Sequence, residues 1–150
     1  MQNLLNQIKL DYVAAAVSAA NNTDNDSAIV DTAGYDGVLF LTTITDSVQN
    51  GVATMTIEQN TANSGTGMAA LSGAVATVTS GANDDINGKM LAVDVYRPRE
   101  RYLRANRTSA TANIAYGECL AILYHGTKMP ISQASADVAD SAVVTSPAES

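Results

Sequence analysis

Apolar and polar positions along this chain alternate over short stretches, and runs of Asn, Asp, Gly, Ser and Thr separate those stretches. Successive side chains of a strand point to opposite faces, so a period of two predicts strands with one covered face. The clearest case is VATMTIEQ at 52–59, which sets Ala53, Met55 and Ile57 toward a core. VLFLTTIT at 38–45 is apolar on both faces at its start, the pattern of a central, covered strand. MLAVDVY at 90–96 is a further strand. So is RYLRAN at 101–106, with RTSAT at 107–111 as the hairpin loop after it. NIAYGECLAILYH at 113–125 is long and β-compatible, and Gly117 marks a bulge. SAIVD at 27–31 and residues 75–78 make shorter strands. DYVAAAVSA at 11–19 stays open: alanine favours helix, whereas Tyr12, Val13 and Val17 without a charged face fit a strand or an irregular lead-in.

Turn chemistry separates these stretches. NNTDND at 21–26 reads as a polar loop, AGYDG at 33–37 as a turn and DSVQNG at 46–51 as a hairpin loop with an Asn-Gly pair. NTANSGTG at 60–67 is a long polar loop and ANDDING at 82–88 another turn. Strands every 8 to 12 residues with polar turns predict an all-β fold, a β-sandwich or jelly-roll-like domain over 1–130. After Pro130 the pattern stops. Residues 131–150 contain no aromatic and no basic residue, with five Ser and five Ala. Such a segment builds no core of its own. It reads as an extended C-terminal arm that becomes ordered against another surface, expected here to be a neighbouring subunit.

Charge narrows the partners. The formal net charge is −7, and only 15% of residues are charged. An acidic chain is repelled by phosphate backbones and by anionic membranes, so neither nucleic acid nor membrane is expected as a partner. The polar surface falls to Ser, Thr, Asn and Gln, which desolvate cheaply against another protein. No stretch approaches the length needed to span a bilayer, and MQNLLNQIKL lacks the pattern of a secretory signal.

Candidate chemistry is thin. His125 is the only histidine and Cys119 the only cysteine. Six positions apart on one strand, they stand about 20 Å from each other. They read as a strand-end imidazole and a buried thiol, and no catalytic residue is expected. No zinc pattern appears. The acidic loops TDND at 23–26 and NDDING at 82–88 have the oxygen ligands that calcium prefers, but neither completes an EF-hand, and turn formation explains them. SGTG at 64–67 lacks the Lys and Ser/Thr of a phosphate loop. No cofactor is expected.

One electrostatic feature stands out. All five arginines, Arg97, Arg99, Arg101, Arg104 and Arg107, fall within eleven residues. Before them, two lysines stand against ten carboxylates. Pro98 removes a ladder donor and places 97–100 at an edge or in a loop. The cluster either pairs internally with Asp31, Asp36 or Asp94, or docks on an acidic partner through bidentate guanidinium contacts. Nucleic acid ranks well behind, since Tyr96 and Tyr102 make a thin stacking platform. With the apolar arm residues Ile131, Val138, Val143 and Val144, the five arginines are the candidate protein-interaction residues.

The runs IVDTAGYDGVLFLTTI at 29–44 and RPRERYLRANRTSATANIAYGECLAILYHGTKMP at 97–130 resemble small tailed-phage virion proteins of the capsid decoration, or cement, kind. The shared elements are Val30-Asp31, Gly34-Tyr35-Asp36-Gly37, Arg101-Tyr102-Leu103-Arg104 and Lys128-Met129-Pro130. The resemblance implies a non-enzymatic protein, made in the host cytoplasm. It would bind the outer surface of the major capsid protein lattice, associate with itself as a trimer and stabilise the head. A head-tail connector, a tail component and a carbohydrate- or receptor-binding sandwich are the alternatives. The lack of Trp, and a single Phe placed in a core strand, weakens the last.

Overall fold

The computed structural model describes residues 3–146, 148 and 149. After a short 3-10 turn (Leu4–Asn6) come ten strands: β1 (Ile8–Ala14), β2 (Val17–Ala20), β3 (Asp24–Asp26), β4 (Val30–Asp31), β5 (Gly37–Ser47), β6 (Val52–Asn60), β7 (Ala69–Thr79), β8 (Met90–Tyr96), β9 (Tyr102–Ala110) and β10 (Ile114–Tyr124). Among the described residues there is no α-helix. One sheet runs β1-β10-β5-β8, with β2 also beside β10. The other runs β3-β9-β6-β7, with β4 also beside β9. Every pair is antiparallel, and the two sheets form a β-sandwich.

The alternation in the sequence sets the core. β5 lies between β10 and β8 and turns Val38, Phe40, Thr42 and Ile44 inward, all buried. Ala53, Met55 and Ile57 of β6 face them from the other sheet, fully buried as the alternation predicts. Leu103 and Ala105 of β9 and Ile114 and Leu123 of β10 complete the layer. The pairing of β10 slips on both sides of Tyr116, next to Gly117. A Cβ at Gly117 would lie 2.1 Å from Thr43 Oγ1, so any larger residue there would have to displace the Thr43 side chain.

The open stretch 11–19 resolves as strand, and several expectations need correction. Residues 11–19 fall in two strands, β1 and β2, because pairing with β10 and burial of Val13 outweigh alanine's helical preference. The polar loop at 21–26 contains β3, whose Asp24 and Asp26 both accept hydrogen bonds from Asn106 Nδ2, so polar cross-strand bonds replace apolar burial. The strand expected at 27–31 shrinks to β4. The strand expected at 75–78 extends back to Ala69 across a break at Gly73, which has φ +80°. The hairpin loop expected at 107–111 is largely strand, since β9 continues to Ala110.

The arm also departs from expectation. Its first part lies on its own domain, along the outer edge of β1. Ile131 N donates to Asn6 O (2.8 Å), and Gln133 Nε2 donates to Leu5 O (3.1 Å) and Ile8 O (2.7 Å). Leu10 N donates to Gln133 Oε1 (2.9 Å) and Tyr12 N to Asp137 Oδ1 (3.1 Å). Backbone groups that a sheet edge leaves open are thus met by two arm side chains. Residues 131–138 follow β1 of their own domain.

Candidate docking surface

The loop 32–36 between β4 and β5, the loop 97–101 between β8 and β9, and residues 125–127 after β10 meet at one end of the sandwich. Backbone bonds tie them: Arg97 N donates to Asp36 O (2.7 Å), Asp36 N to Tyr124 O (3.1 Å), Thr32 N to Arg101 O (2.9 Å) and Thr127 N to Gly34 O (2.8 Å). Arg97 and His125 both adopt positive φ, +52° and +50°. Non-glycine residues persist there only when their surroundings hold them. Between loops 32–36 and 97–101 lies an open cleft of about 480 Å³, lined by Tyr35, Arg97, Arg99 and Arg101 among others.

The five arginines divide sharply. Arg107 is buried, 1% exposed. Its Nη1 donates to Gly117 O (2.6 Å) and Thr42 Oγ1 (3.3 Å), and its Nη2 to Ala15 O (2.9 Å). Its charge is enclosed without a carboxylate, and burial pushes its pKa below the ordinary arginine value. It cannot dock on a partner and leaves the candidate set. Arg104 is mostly enclosed between Asp26 (2.8 Å) and Glu58 (2.5 Å). Arg101 makes a bidentate pair with Asp31, Nε to Oδ1 at 2.7 Å and Nη2 to Oδ2 at 2.8 Å. That pair holds the Asp31 carboxyl below its usual range. Internal pairing is therefore realised through Asp31. Asp36 instead faces the exposed His125 at 3.7 Å, and Asp94 accepts from Tyr124 Oη at 2.6 Å. Burial, with Asp94 beside it, raises the Tyr124 pKa.

Arg97 and Arg99 are the two left outward. Both are exposed, and neither has an ion pair among the described residues. Arg97 lies over the exposed Tyr96 ring, 5.1 Å from its centre. Nearby Lys128 is exposed and likewise unpaired. Of the apolar arm candidates, Ile131 and Val138 are partly buried on their own domain. Val138 closes an apolar hollow of about 300 Å³ with Leu10, Tyr12 and Leu120. Val143 and Val144 remain exposed at 43% and 70%.

The other candidates are placed as follows. Cys119 is fully buried in the core, whereas His125 is exposed beyond the end of the same strand, so the two do not meet. Burial pushes the thiol up to about 11. In the loop 82–88, Asp85 accepts from Ser80 Oγ and from the amides of Gly81 and Ala82. Among the described residues, no three His, Cys, Asp or Glu side chains are placed to hold a metal, and no helix is long and apolar enough to cross a membrane. What the sequence reading missed is the inward Arg107. Its signal was parity: Arg107 shares the strand face of Leu103 and Ala105.

No family model matches the chain, and no curated protein matches its sequence. Among solved structures, the PBSX exported protein XepA is similar over 99% of this chain, at 16% identity and a TM-score of 0.50. The chain spans 46% of that protein's length. A structure of infectious bursal disease virus, Gx strain, aligns with 83% of this chain and 33% of its own, at 11% identity and a TM-score of 0.45. The likeness to XepA is one of fold.

Proposed function

We propose that this protein is a virion structural component, a capsid decoration protein that binds the outer surface of a major capsid protein lattice and other copies of itself, without catalysis. The observation that carries the reading is the split among the arginines. Three are bonded within the fold, while Arg97 and Arg99 are held outward on a backbone-tied loop of an otherwise acidic chain. A fixed basic end on an acidic protein suits an acidic protein surface, because complementary potentials select the partner and speed encounter. The low proportion of charged residues and the resemblance of residues 29–44 and 97–130 to decoration proteins point the same way. So does a sandwich fold shared with a phage-associated exported protein. The partly buried start of the arm adds no support, since its own domain holds it.

The test is stoichiometric binding to expanded capsids lacking the protein. Wild type is expected to bind at one or more copies per capsomer, and Arg97→Glu/Arg99→Glu is expected to lose at least tenfold in affinity at low salt. About a dozen or fewer copies per particle would move the assignment to a neck or tail ring. Capsid binding unaffected by the double reversal would remove the arginine end from the interface.

A further inference from the structure

A sandwich of two open sheets has four edges, and edges left bare pair with other strands. Three of the four are guarded here. The β1 edge is covered by Gln133 and Asp137 of the arm, and β2, which follows it along β10, is only four residues long. The β3/β4 edge is short and carries Asp24, Asp26 and Asp31, engaged with Asn106, Arg104 and Arg101. The β8 edge is seven residues long, with Asp94 exposed within it and Lys89 and Arg97 at its ends.

β7 has none of these devices. It pairs with β6 alone. Its eleven residues, AALSGAVATVT, include no charge and no proline. The break at Gly73 leaves Val75–Thr79 as its longest regular run, pairing without a slip with Val52–Thr56. Within that run Val75, Thr77 and Thr79 are exposed. We infer that the Val75–Thr79 edge of β7 is a self-association surface, which pairs antiparallel with the same edge of a second copy across a two-fold axis and joins the two β6–β7 sheets.

Two features favour a second copy as the occupant. The first is charge. Each chain carries −7, so two copies approach best where the local charge is nil, and this edge is the uncharged one. The second is self-complementarity. Thr77 is the middle residue of the run, so a two-fold beside it sets Thr77 opposite its mate and Val75 opposite the mate's Thr79. Both are favourable cross-strand pairs. Thr77 Oγ1 is already hydrogen-bonded to Thr54 Oγ1 at 2.7 Å, and Thr54 pairs in register with Thr108. The pairing therefore continues an existing row of threonines across the combined sheet. The break at Gly73 limits the contact to one short run, so the dimer is expected to be concentration-dependent.

Sedimentation of the purified protein over a hundredfold concentration range tests this. A monomer–dimer equilibrium is expected, shifted at least tenfold toward monomer by Val75→Lys/Thr77→Lys with the thermal midpoint unchanged within a few degrees. In parallel, Thr77→Cys is expected to give a covalent dimer on mild oxidation, because directly opposed strand residues lie within disulfide reach. Asp94→Cys on the β8 edge is expected to give none. A protein that stays monomeric throughout overturns the inference. So does a trimer, the state implied by the sequence resemblance, or a dimer that ignores both lysines and yields no Thr77→Cys cross-link.

Discussion

Arg107 and Tyr116 cross the sandwich in opposite directions. The Arg107 guanidinium leaves β9 and reaches the carbonyl of Gly117 in the facing sheet, while the Tyr116 hydroxyl leaves β10, donates to Thr108 O (2.5 Å) and accepts from Thr54 N (3.0 Å). The guanidinium carbon lies 5.6 Å from the centre of the tyrosine ring. Each side chain thus satisfies polar backbone of the opposite sheet, and each helps to cover the other.

Removing the charge tests this arrangement. Arg107→Ala leaves a cavity and strips partners from the Gly117 and Ala15 carbonyls, and a loss of about 3 kcal/mol in chemical denaturation is expected. Arg107→Met refills most of the volume and removes the desolvated charge, so its loss is expected to be smaller, about 1 kcal/mol. A larger loss for Met than for Ala would refute this account of the site.

Tyr116→Phe isolates the hydroxyl. The ring stays, but Thr54 N loses its acceptor and Thr108 O a donor in a partly buried setting. The expected cost is about 1 to 2 kcal/mol. Burial lifts the Tyr116 pKa to about 12, so the ultraviolet titration of this phenol is expected to lag the exposed tyrosines until the protein unfolds.

The Asp31–Arg101 pair gives a pH dependence of known sign. Asp31 has a folded pKa below the ordinary 3.8, so the folded state binds its proton less readily than the unfolded chain. The stabilisation is present above the unfolded value and is lost as pH falls through the folded one. Urea midpoints measured from pH 5 down to pH 2 are expected to fall, and Asp31→Asn is expected to remove part of that slope. The effect is small, because the pair is exposed and screened.

Cys119 supplies a chemical readout of unfolding. A fully buried thiol with its pKa pushed up to about 11 is a poor nucleophile at neutral pH. Labelling with a thiol reagent is expected to be at least a hundredfold slower in the native protein than in urea. Rapid native labelling would mean that β10 opens readily.

Cutting the arm after Pro130 should bare the β1 edge. The Leu10 and Tyr12 amides, bonded to Gln133 and Asp137 in the intact chain, are expected to exchange their hydrogens faster, and the truncated protein is expected to aggregate more readily. Gln133→Ala is expected to speed Leu10 exchange without the aggregation.

Much of the sandwich was legible because burial acts on every second residue. β6 follows the alternation from Val52 to Ile57, β8 occupies the stretch expected of it, and Gly117 marked its own irregularity. Elements held by hydrogen bonds were not legible. β3 pairs through two aspartates and an asparagine, which on composition read as a loop. Arg107 was misplaced because a charge followed by Thr and Ser reads as a turn, whereas the strand parity from Leu103 to Ser109 carries it inward. At the candidate surface, clustering in sequence marked the arginines, but only their carboxylate partners, distant along the chain, separate Arg97 and Arg99 from the rest.

The pairing of β1 with β10 has a consequence for how the molecule is made. Ile8 stands opposite Tyr124, so the strand synthesised first waits for the one synthesised last before its sheet can close. Until then the apolar side chains of β1 have no permanent neighbour in their sheet. Slow closure of that sheet follows from the long separation along the chain.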